Sequence, residues 1–196
     1  PPRNASYEHL GAFLTMEYTM NKTFAGIGSR QTPSEILEKM KAIAKFLSER
    51  GYTLRSGGAD GADSAFEQGA TKKEIFLPWN NYNGRKVDNI SFFSELSDKH
   101  FTLAESIHPA WDKCTIGAKK LHARNTQQIL GKDLDSPCDF VVCWTKGGEL
   151  VGGTSTALRL SELHNIPIFN LGAPEGLQDF RTFCKKLMKE QHGNKD

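Results

Sequence analysis

The sequence carries little excess charge, no long apolar run and few cysteines, and each of these shortages excludes a class of protein. Its 25 basic and 23 acidic residues leave a formal net charge of +2, whereas a protein that binds nucleic acid through a basic surface has a larger excess of Lys and Arg. No stretch approaches the roughly 18 apolar residues of a transmembrane helix, so we expect no membrane association. None of the 4 cysteines forms a C-x-x-C pair and no cysteine–histidine group has zinc-ligand spacing, so we predict no metal site and no cofactor.

The length and composition predict one globular domain. The 196 residues are 38% apolar and include 12 Phe, which is enough apolar matter for a core and excludes disorder over most of the chain. No linker divides residues 20–190, which we predict to be a single domain. We interpret residues 1–19 as an expression leader or a flexible N-terminus, and residues 191–196 as a polar tail. Because no basic region precedes an apolar stretch near the start, we expect a cytoplasmic protein.

From residue 23 onward, short apolar runs alternate with segments of helical periodicity. This alternation predicts an α/β fold, namely a Rossmann-like, doubly wound, mainly parallel sheet with helices on both faces. Thr32 and Glu35 have the spacing of a capping box at the start of the first helix. The predicted strands cover 23–27, 52–54, 74–77, 139–144 and 166–170. The predicted helices cover 33 to about 50, a short stretch ending near 68, 113–130, 155–164 and about 174–189, with one short helix near 101–106.

Residues 79–112 form the least regular segment, which mixes Asn, Gly and aromatic side chains. A loop this long is uncommon in a compact domain and is usually functional. Trp79, Tyr82 and Arg85 within it can stack on a base or form a lid. Loop aromatics also pack irregular regions, so both interpretations stay open.

The glycines are concentrated where predicted strands end and helices begin. Ligands bind a doubly wound sheet at the carboxyl ends of its strands, and glycine lets an anion approach the free N–H groups of a following helix. If the first and fourth predicted strands are neighbours, three such loops converge on one crevice, which predicts a phosphate-bearing ligand. The grouped glycines are Gly26 and Gly28 after the first strand, Gly57, Gly58 and Gly61 after the second, and Gly147, Gly148, Gly152 and Gly153 after the fourth.

Two common nucleotide-binding classes are excluded because the sequence lacks their motifs. The sequence has no G-x-x-x-x-G-K-[ST], so it is not a P-loop ATPase. The pair Gly26 and Gly28 lacks the third glycine of the dinucleotide fingerprint, and no acidic residue closes the second predicted strand. A standard NAD dehydrogenase is therefore not expected.

Three segments together resemble the SLOG superfamily: Gly-Ile-Gly-Ser-Arg at 26–30, Ser-Gly-Gly-Ala-Asp-Gly-Ala-Asp at 56–63 and Gly-Gly-Thr-Ser at 152–155. This group includes DprA-type DNA recombination mediators, LOG-type nucleotide phosphoribohydrolases and small proteins of which some are phage-encoded. The resemblance spans about 24–170 and is closest to compact, single-domain DprA-like members. It implies a Rossmann-like fold, a nucleotide or nucleotide-derived ligand at the glycine loops, and a homo-oligomer.

The loops and the resemblance together give a set of candidate site residues. Arg30 directly follows the first loop, where a guanidinium can clamp a phosphate. Asp60 and Asp63 have two open interpretations: they cap the second helix, or they face the crevice and bind a ribose or act as a base. The predicted ligand-binding residues are Gly28, Ser29, Arg30, Ser56, Gly57, Gly58, Asp60, Gly152, Gly153, Thr154 and Ser155.

The segment from Leu121 to Asn125 resembles the Met-His-x-Arg-Lys stretch of LOG-type hydrolases, whose Arg belongs to the active site. The resemblance implies Arg124 as a catalytic candidate, although a solvated helix is an equal alternative. Asp63, if it faces the crevice, is the second catalytic candidate. In LOG enzymes a catalytic Glu follows the third loop, and here Arg159 stands at that position. Glu149 and Glu162 lie nearby but not at the family position.

Three functions stay open on this basis. The first is binding of a nucleotide with hydrolysis of the N-glycosidic bond of a nucleoside monophosphate. The second is a sensor or sequestering protein for a nucleotide signal, which the absence of the family's Glu favours. The third is a DprA-like DNA-associated protein, which the near-neutral charge does not favour.

Overall fold

The computed structural model describes residues 22–150 and 152–193. The predicted leader, residues 1–19, and the last three residues of the predicted tail lie outside the described residues. In the described part of the chain, no helix is long and apolar enough to cross a bilayer. The elements are β1 (Thr23–Gly28), α1 (Ser34–Ser48), β2 (Thr53–Ser56), α2 (Ala62–Gly69), β3 (Lys73–Phe76), β4 (Phe92–Phe93), α3 (Asp98–Ile107), α4 (Ile116–Leu130), β5 (Phe140–Trp144), α5 (Ser155–Leu163), β6 (Ile168–Asn170) and α6 (Gly176–Gly193).

The strands form one six-stranded parallel sheet in the order β4-β3-β2-β1-β5-β6. In register, Phe24 of β1 lies opposite Leu54 of β2 on one side and Phe140 of β5 on the other. The strand order reverses between β1 and β5, which is the switch point of a doubly wound sheet. The predicted α/β Rossmann-like class and the adjacency of these two strands are confirmed.

Helices cover both faces of the sheet, and successive side chains of β1 point alternately into the two cores between sheet and helices. Phe24 points into a core that α1, α2 and α6 build, with Met40, Phe66 and Phe180 among its buried members. Ala25 and Ile27 point to the opposite face and contact the apolar side chains of α4 and α5. Both faces of a parallel sheet are buried, so its strands are apolar on both sides. The short apolar runs in the sequence agree with this arrangement.

Several boundaries differ from the sequence prediction. The long irregular segment contains β4, which was not predicted because two residues give no periodic signal. Its helix, α3, is longer than expected, α4 begins at Ile116 rather than 113, and α6 continues past 189 to Gly193. The capping box at Thr32 is wrong. The Thr32 hydroxyl donates instead to the Ser29 carbonyl oxygen at 2.7 Å, and α1 has no side-chain cap.

Candidate functional site

A cavity of about 560 Å³ opens at the carboxyl edge of the sheet, where β1 and β5 diverge. That volume lies in the range of small-molecule sites, roughly 300–1,000 Å³. The turns after β1 and β5, the start of α2, the turn before α5 and one side of α4 form its walls. It is lined by Ile27, Gly28, Ser29, Arg30, Gln31, Ala59, Asp63, Tyr82, Leu121, Arg124, Asn125, Gln128, Thr145, Lys146, Gly152, Gly153 and Thr154.

Most of the candidate residues meet at this cavity, but not all of them. The candidates that line it are Gly28, Ser29, Arg30, Asp63, Arg124, Gly152, Gly153 and Thr154. The candidates that lie outside its lining are Ser56, Gly57, Gly58, Asp60 and Ser155. Of these, Ser56 donates its hydroxyl to the Gly26 carbonyl at 2.6 Å and so ties β2 to β1, while Ser155 donates to Gly152 at 2.8 Å.

The glycines after β1 and β2 are required by close packing. A Cβ at Gly28 would lie 2.7 Å from the Cβ of Ala62 and 2.9 Å from the Trp144 carbonyl oxygen. Gly61 has φ +78, and a Cβ there would lie 2.7 Å from the Ser29 carbonyl oxygen. The two loops interlock backbone against backbone, which explains these glycines without any ligand.

Gly152 and Gly153, at the entry to α5, are different. In the described part of the chain, a Cβ at either position would have no neighbour within 4 Å. Gly152 has φ +70, which favours glycine by itself, whereas Gly153 has neither a positive φ nor a close neighbour. The bare backbone at Gly153 therefore faces open space in the cavity wall.

Arg124 extends from α4 through the interior and contacts the ends of two strands. Its Nη1 donates to the carbonyl oxygen of Gly57 and, at 3.3 Å, to that of Phe76. A Cβ at Gly57 would overlap the guanidinium, so glycine is required at that position for close approach. The side chain is 4% exposed, and burial lowers its pKa while the Asp63 charge opposes this. Its Nε–H has no acceptor in the described residues.

Asp63 holds the turn after β2. Its Oδ2 accepts hydrogen bonds from the backbone N–H groups of Gly57 at 3.1 Å and Ala59 at 3.3 Å. Burial raises the pKa of the carboxyl, and the Arg124 charge and the backbone N–H groups counteract part of that rise. The bonds that the structure gives to Asp63 are those of a residue that shapes a loop.

Asp60 does not cap α2, contrary to one of its two interpretations. It is exposed, and α2 follows Gly61 with no side-chain cap. Further along α2, Glu67 pairs with Arg85 at 2.8 Å and with Lys73 at 3.7 Å. Arg85 therefore attaches the irregular segment to α2, away from the cavity lining.

Tyr82 brings the irregular segment to the cavity. Its hydroxyl accepts a hydrogen bond from Nη2 of Arg30 at 2.9 Å, and the Arg124 guanidinium lies 5.9 Å from its ring centroid. Trp79 packs edge-on against the Tyr82 ring at 5.2 Å and is 40% exposed. Of the two open interpretations, packing describes the buried Tyr82, whereas stacking on a ligand stays open for the exposed Trp79.

The lining also includes polar residues that the sequence reasoning did not select. On α4, Asn125 donates from Nδ2 to the Gly153 carbonyl oxygen at 2.6 Å, and Gln128 lies one turn further. Thr145, after β5, is fixed by Asn170, and the adjacent Lys146 is exposed. The spacing of residues 121, 124, 125 and 128 places them on one helix face, and this was the sequence signal that could have identified Asn125 and Gln128. The solvated-helix interpretation of α4 is wrong, since residues 122–130 are buried.

A second group of polar side chains, here called the group behind α4, lies between α4 and the α3–α4 connection. The ligand atoms of His108, Cys114 and His122 all lie within 4.8 Å of one another. Burial, followed by the charges of His108 and Arg124, lowers the pKa of His122 to about 4. The expectation of no metal site rested on sequence spacing, which did not single out this group.

Comparisons with known proteins support the fold. No protein-family model matches the sequence, and no curated protein is similar to it. DNA processing protein A from Helicobacter pylori, which binds single-stranded DNA, has a similar structure, with a TM-score of 0.57, 18% identity and coverage of 87% of this chain and 82% of that chain. The Moco carrier protein of Chlamydomonas rheinhardtii follows with a TM-score of 0.43, 16% identity and coverage of 83% and 84%. The first of these likenesses shows that the chain has the Rossmann-like fold of DNA processing protein A.

Proposed function

We propose that the chain binds a nucleotide or a nucleotide-derived phosphate in the cavity between β1 and β5. The observation that carries this proposal is the bare backbone at Gly153, which neither packing nor φ requires to be glycine. Glycine at such a position leaves room for a ligand to touch the backbone. The SLOG resemblance, which rests on the same loops, points to the same ligand class.

The electrostatics of the cavity suit an anion. The N-terminus of α5 follows the Gly152–Thr154 turn without a side-chain cap, so the positive end of its helix dipole lies beside the cavity wall. Arg30, Lys146 and Arg124 contribute three cationic side chains to the lining, against the single carboxylate of Asp63 among the lining residues. The Nε–H of Arg124, which has no acceptor among the residues that the structure describes, would gain one from a ligand oxygen.

Binding without turnover is the version that the side chains favour. The carboxylate in the lining, Asp63, accepts hydrogen bonds from two backbone N–H groups of its own loop. Arg159, at the position of the catalytic Glu in LOG enzymes, is absent from the lining. A hydrolase of this kind needs a carboxylate free to assist the leaving base or activate water.

The test combines native mass spectrometry of freshly purified protein with calorimetry against nucleoside monophosphates. We expect a bound nucleotide that is recovered unchanged. Release of free base on incubation would instead establish the hydrolase, and binding of single-stranded DNA in preference to mononucleotides would replace both. Absence of any binding by nucleotides or inorganic phosphate would overturn the proposal.

Gly153→Ala is the sharpest variant for this test. The added methyl meets no atom within 4 Å in the described part of the chain, so stability should stay within about 0.5 kcal/mol, but it occupies the surface that the ligand would touch. We expect at least a tenfold loss of affinity. Gly117→Ala is the matched control, because it also adds a methyl with no neighbour within 4 Å among the described residues, outside the cavity lining. Equal affinities of the two variants would argue against contact at Gly153.

A further inference from the structure

The group behind α4 has the composition of a transition-metal site. His108 follows α3, Cys114 precedes α4 and His122 lies on the second turn of α4. We propose that these three side chains bind a Zn²⁺ ion, with a fourth position open to water. Two imidazoles and a thiolate are a ligand set that zinc accepts, and three protein ligands with one open position are typical of its non-structural sites.

The distances are close to those of a tetrahedral centre. Sγ of Cys114 lies 3.8 Å from Nε2 and 3.9 Å from Nδ1 of His108. Zinc bonds of ordinary length place a sulfur and a nitrogen ligand about 3.6 Å apart. The rings of His108 and His122 are 4.3 Å apart between centroids and tilted by 57°. The ligand atoms of all three residues lie within 4.8 Å of one another, so binding of one ion would require side-chain rotations that bring them together.

His122 already has the partner that orients a metal-bound imidazole. Its Nδ1 lies 2.8 Å from the hydroxyl oxygen of Thr156 on α5. When Nδ1 carries the proton and donates to Thr156, Nε2 keeps its lone pair for the ion. Such hydrogen bonds fix the tautomer and ring orientation of ligating histidines.

His108 and Cys114 must each exchange a bond to take the ion. Nδ1 of His108 accepts the N–H of Ala110 at 3.2 Å, and Sγ of Cys114 donates to the Ala110 carbonyl oxygen at 3.6 Å. A neutral imidazole has one lone pair, so coordination replaces the first bond, and loss of the thiol proton replaces the second. Both side chains are half-buried, so the ion can enter from solvent.

The ion would join the α3–α4 connection to α4. Residues 123–125, next to His122, include two that line the cavity, and Thr156 lies two residues after the Gly152–Thr154 turn that also lines it. Occupation of the site would therefore restrain α4 and α5 relative to the connection. It would act on the cavity through positioning, without contact with the ligand.

The test uses the purified full chain, stripped of metal and then titrated with Zn²⁺ and with Co²⁺. We expect one equivalent of zinc and, with Co²⁺, tetrahedral d–d bands together with a thiolate-to-cobalt charge-transfer band. Cys114→Ser should abolish the charge-transfer band, and His108→Gln should lower affinity at least tenfold. His164→Gln, which alters an exposed histidine, is the matched control and should change neither the charge-transfer band nor the affinity for the ion.

A second readout follows the Cys114 thiol directly. Cys114 is half-buried, whereas Cys138, Cys143 and Cys184 are buried, so one thiol should react rapidly with a thiol reagent and Zn²⁺ should protect it. Substoichiometric zinc, a cobalt spectrum without the charge-transfer band, or full binding by folded Cys114→Ser would overturn the proposal. If Cys114→Ser does not fold, His108→Gln and the protection assay decide.

Discussion

Gly57→Ala tests whether the close contact between the β2 turn and Arg124 organises the cavity. A methyl at this position would overlap the guanidinium and would lie 2.5 Å from Nε2 of Gln128. The buried guanidinium must move, and its hydrogen bonds to the carbonyl oxygens of Gly57 and Phe76 are lost. The substitution therefore disturbs one defined pair of elements, α4 and the end of β2.

The expected loss of stability in Gly57→Ala is the sum of two contributions. Overpacking of a well-filled interior costs roughly 1–3 kcal/mol, and each hydrogen bond from a charged group contributes roughly 1.5–3 kcal/mol. The lower ends of these ranges together predict a loss of about 4 kcal/mol in the free energy of unfolding. For a chain of this length, that corresponds to a midpoint lower by roughly 8–16 °C.

Urea unfolding of a double-mutant cycle isolates the contact. In an Arg124→Met background the methyl meets a flexible apolar side chain, so we expect Gly57→Ala to cost only about 1 kcal/mol there. The coupling energy should then be about 3 kcal/mol. A value below about 0.5 kcal/mol, the scatter of independent sites, would refute the idea that Gly57 is glycine because of Arg124.

Three other substitutions give distinct outcomes. Gly28→Ala should destabilise the fold by about 2 kcal/mol or more in urea unfolding, because the methyl meets α2 and the β5 backbone; an unchanged midpoint would contradict the packing explanation. Burial raises the pKa of Asp63 above its ordinary value of 3.8, so the folded state holds that proton more tightly and stability should decline as pH rises above 3.8. Asp63→Asn should reduce this decline, and identical pH profiles of the two proteins would exclude the shift. Backbone N–H groups of 90–92 lower the pKa of Asp88, so their bonds persist above pH 3.8 and are lost as pH falls through the lower folded pKa. Asp88→Ala should speed amide exchange in β4 at neutral pH, and unchanged protection there would show that β4 does not depend on this carboxylate.

The sequence predicted the fold well because its signals were local and periodic. The apolar stripe of α1 and the continuous apolar run of β5 each identify an element without reference to the rest of the chain. β4 was missed because its order comes from pairing with β3 and from Asp88, whose Oδ1 accepts three successive backbone N–H groups at 2.8 Å. Neither the pairing with β3 nor the hydrogen bonds to Asp88 produces a recognisable sequence pattern in a strand of two residues.

The site could be predicted only in part, for a different reason. Glycine placement predicted a crevice at the strand ends, where the structure has a cavity, but Gly28 and Gly153 look alike in sequence. Only tertiary contacts separate them, since one is packed against α2 and the other faces open space. The same holds for His108 and His122, which are brought together by the turn between α3 and α4 rather than by spacing along one element.

The thin apolar stripe of α4 is explained by what its polar side chains bind. A buried polar group is costly unless it is hydrogen-bonded, and each partner here belongs to a different loop. Arg124 donates to the turn after β2, Asn125 to the turn before α5, and Gln127 to the Glu95 carbonyl oxygen ahead of α3. Because one helix is bonded to three loops, the position of α4 sets where they lie relative to one another, and two of them, the turns after β2 and before α5, supply residues of the cavity wall. A ligand that contacts the turn before α5, or an ion that holds His122, would therefore act on the same element.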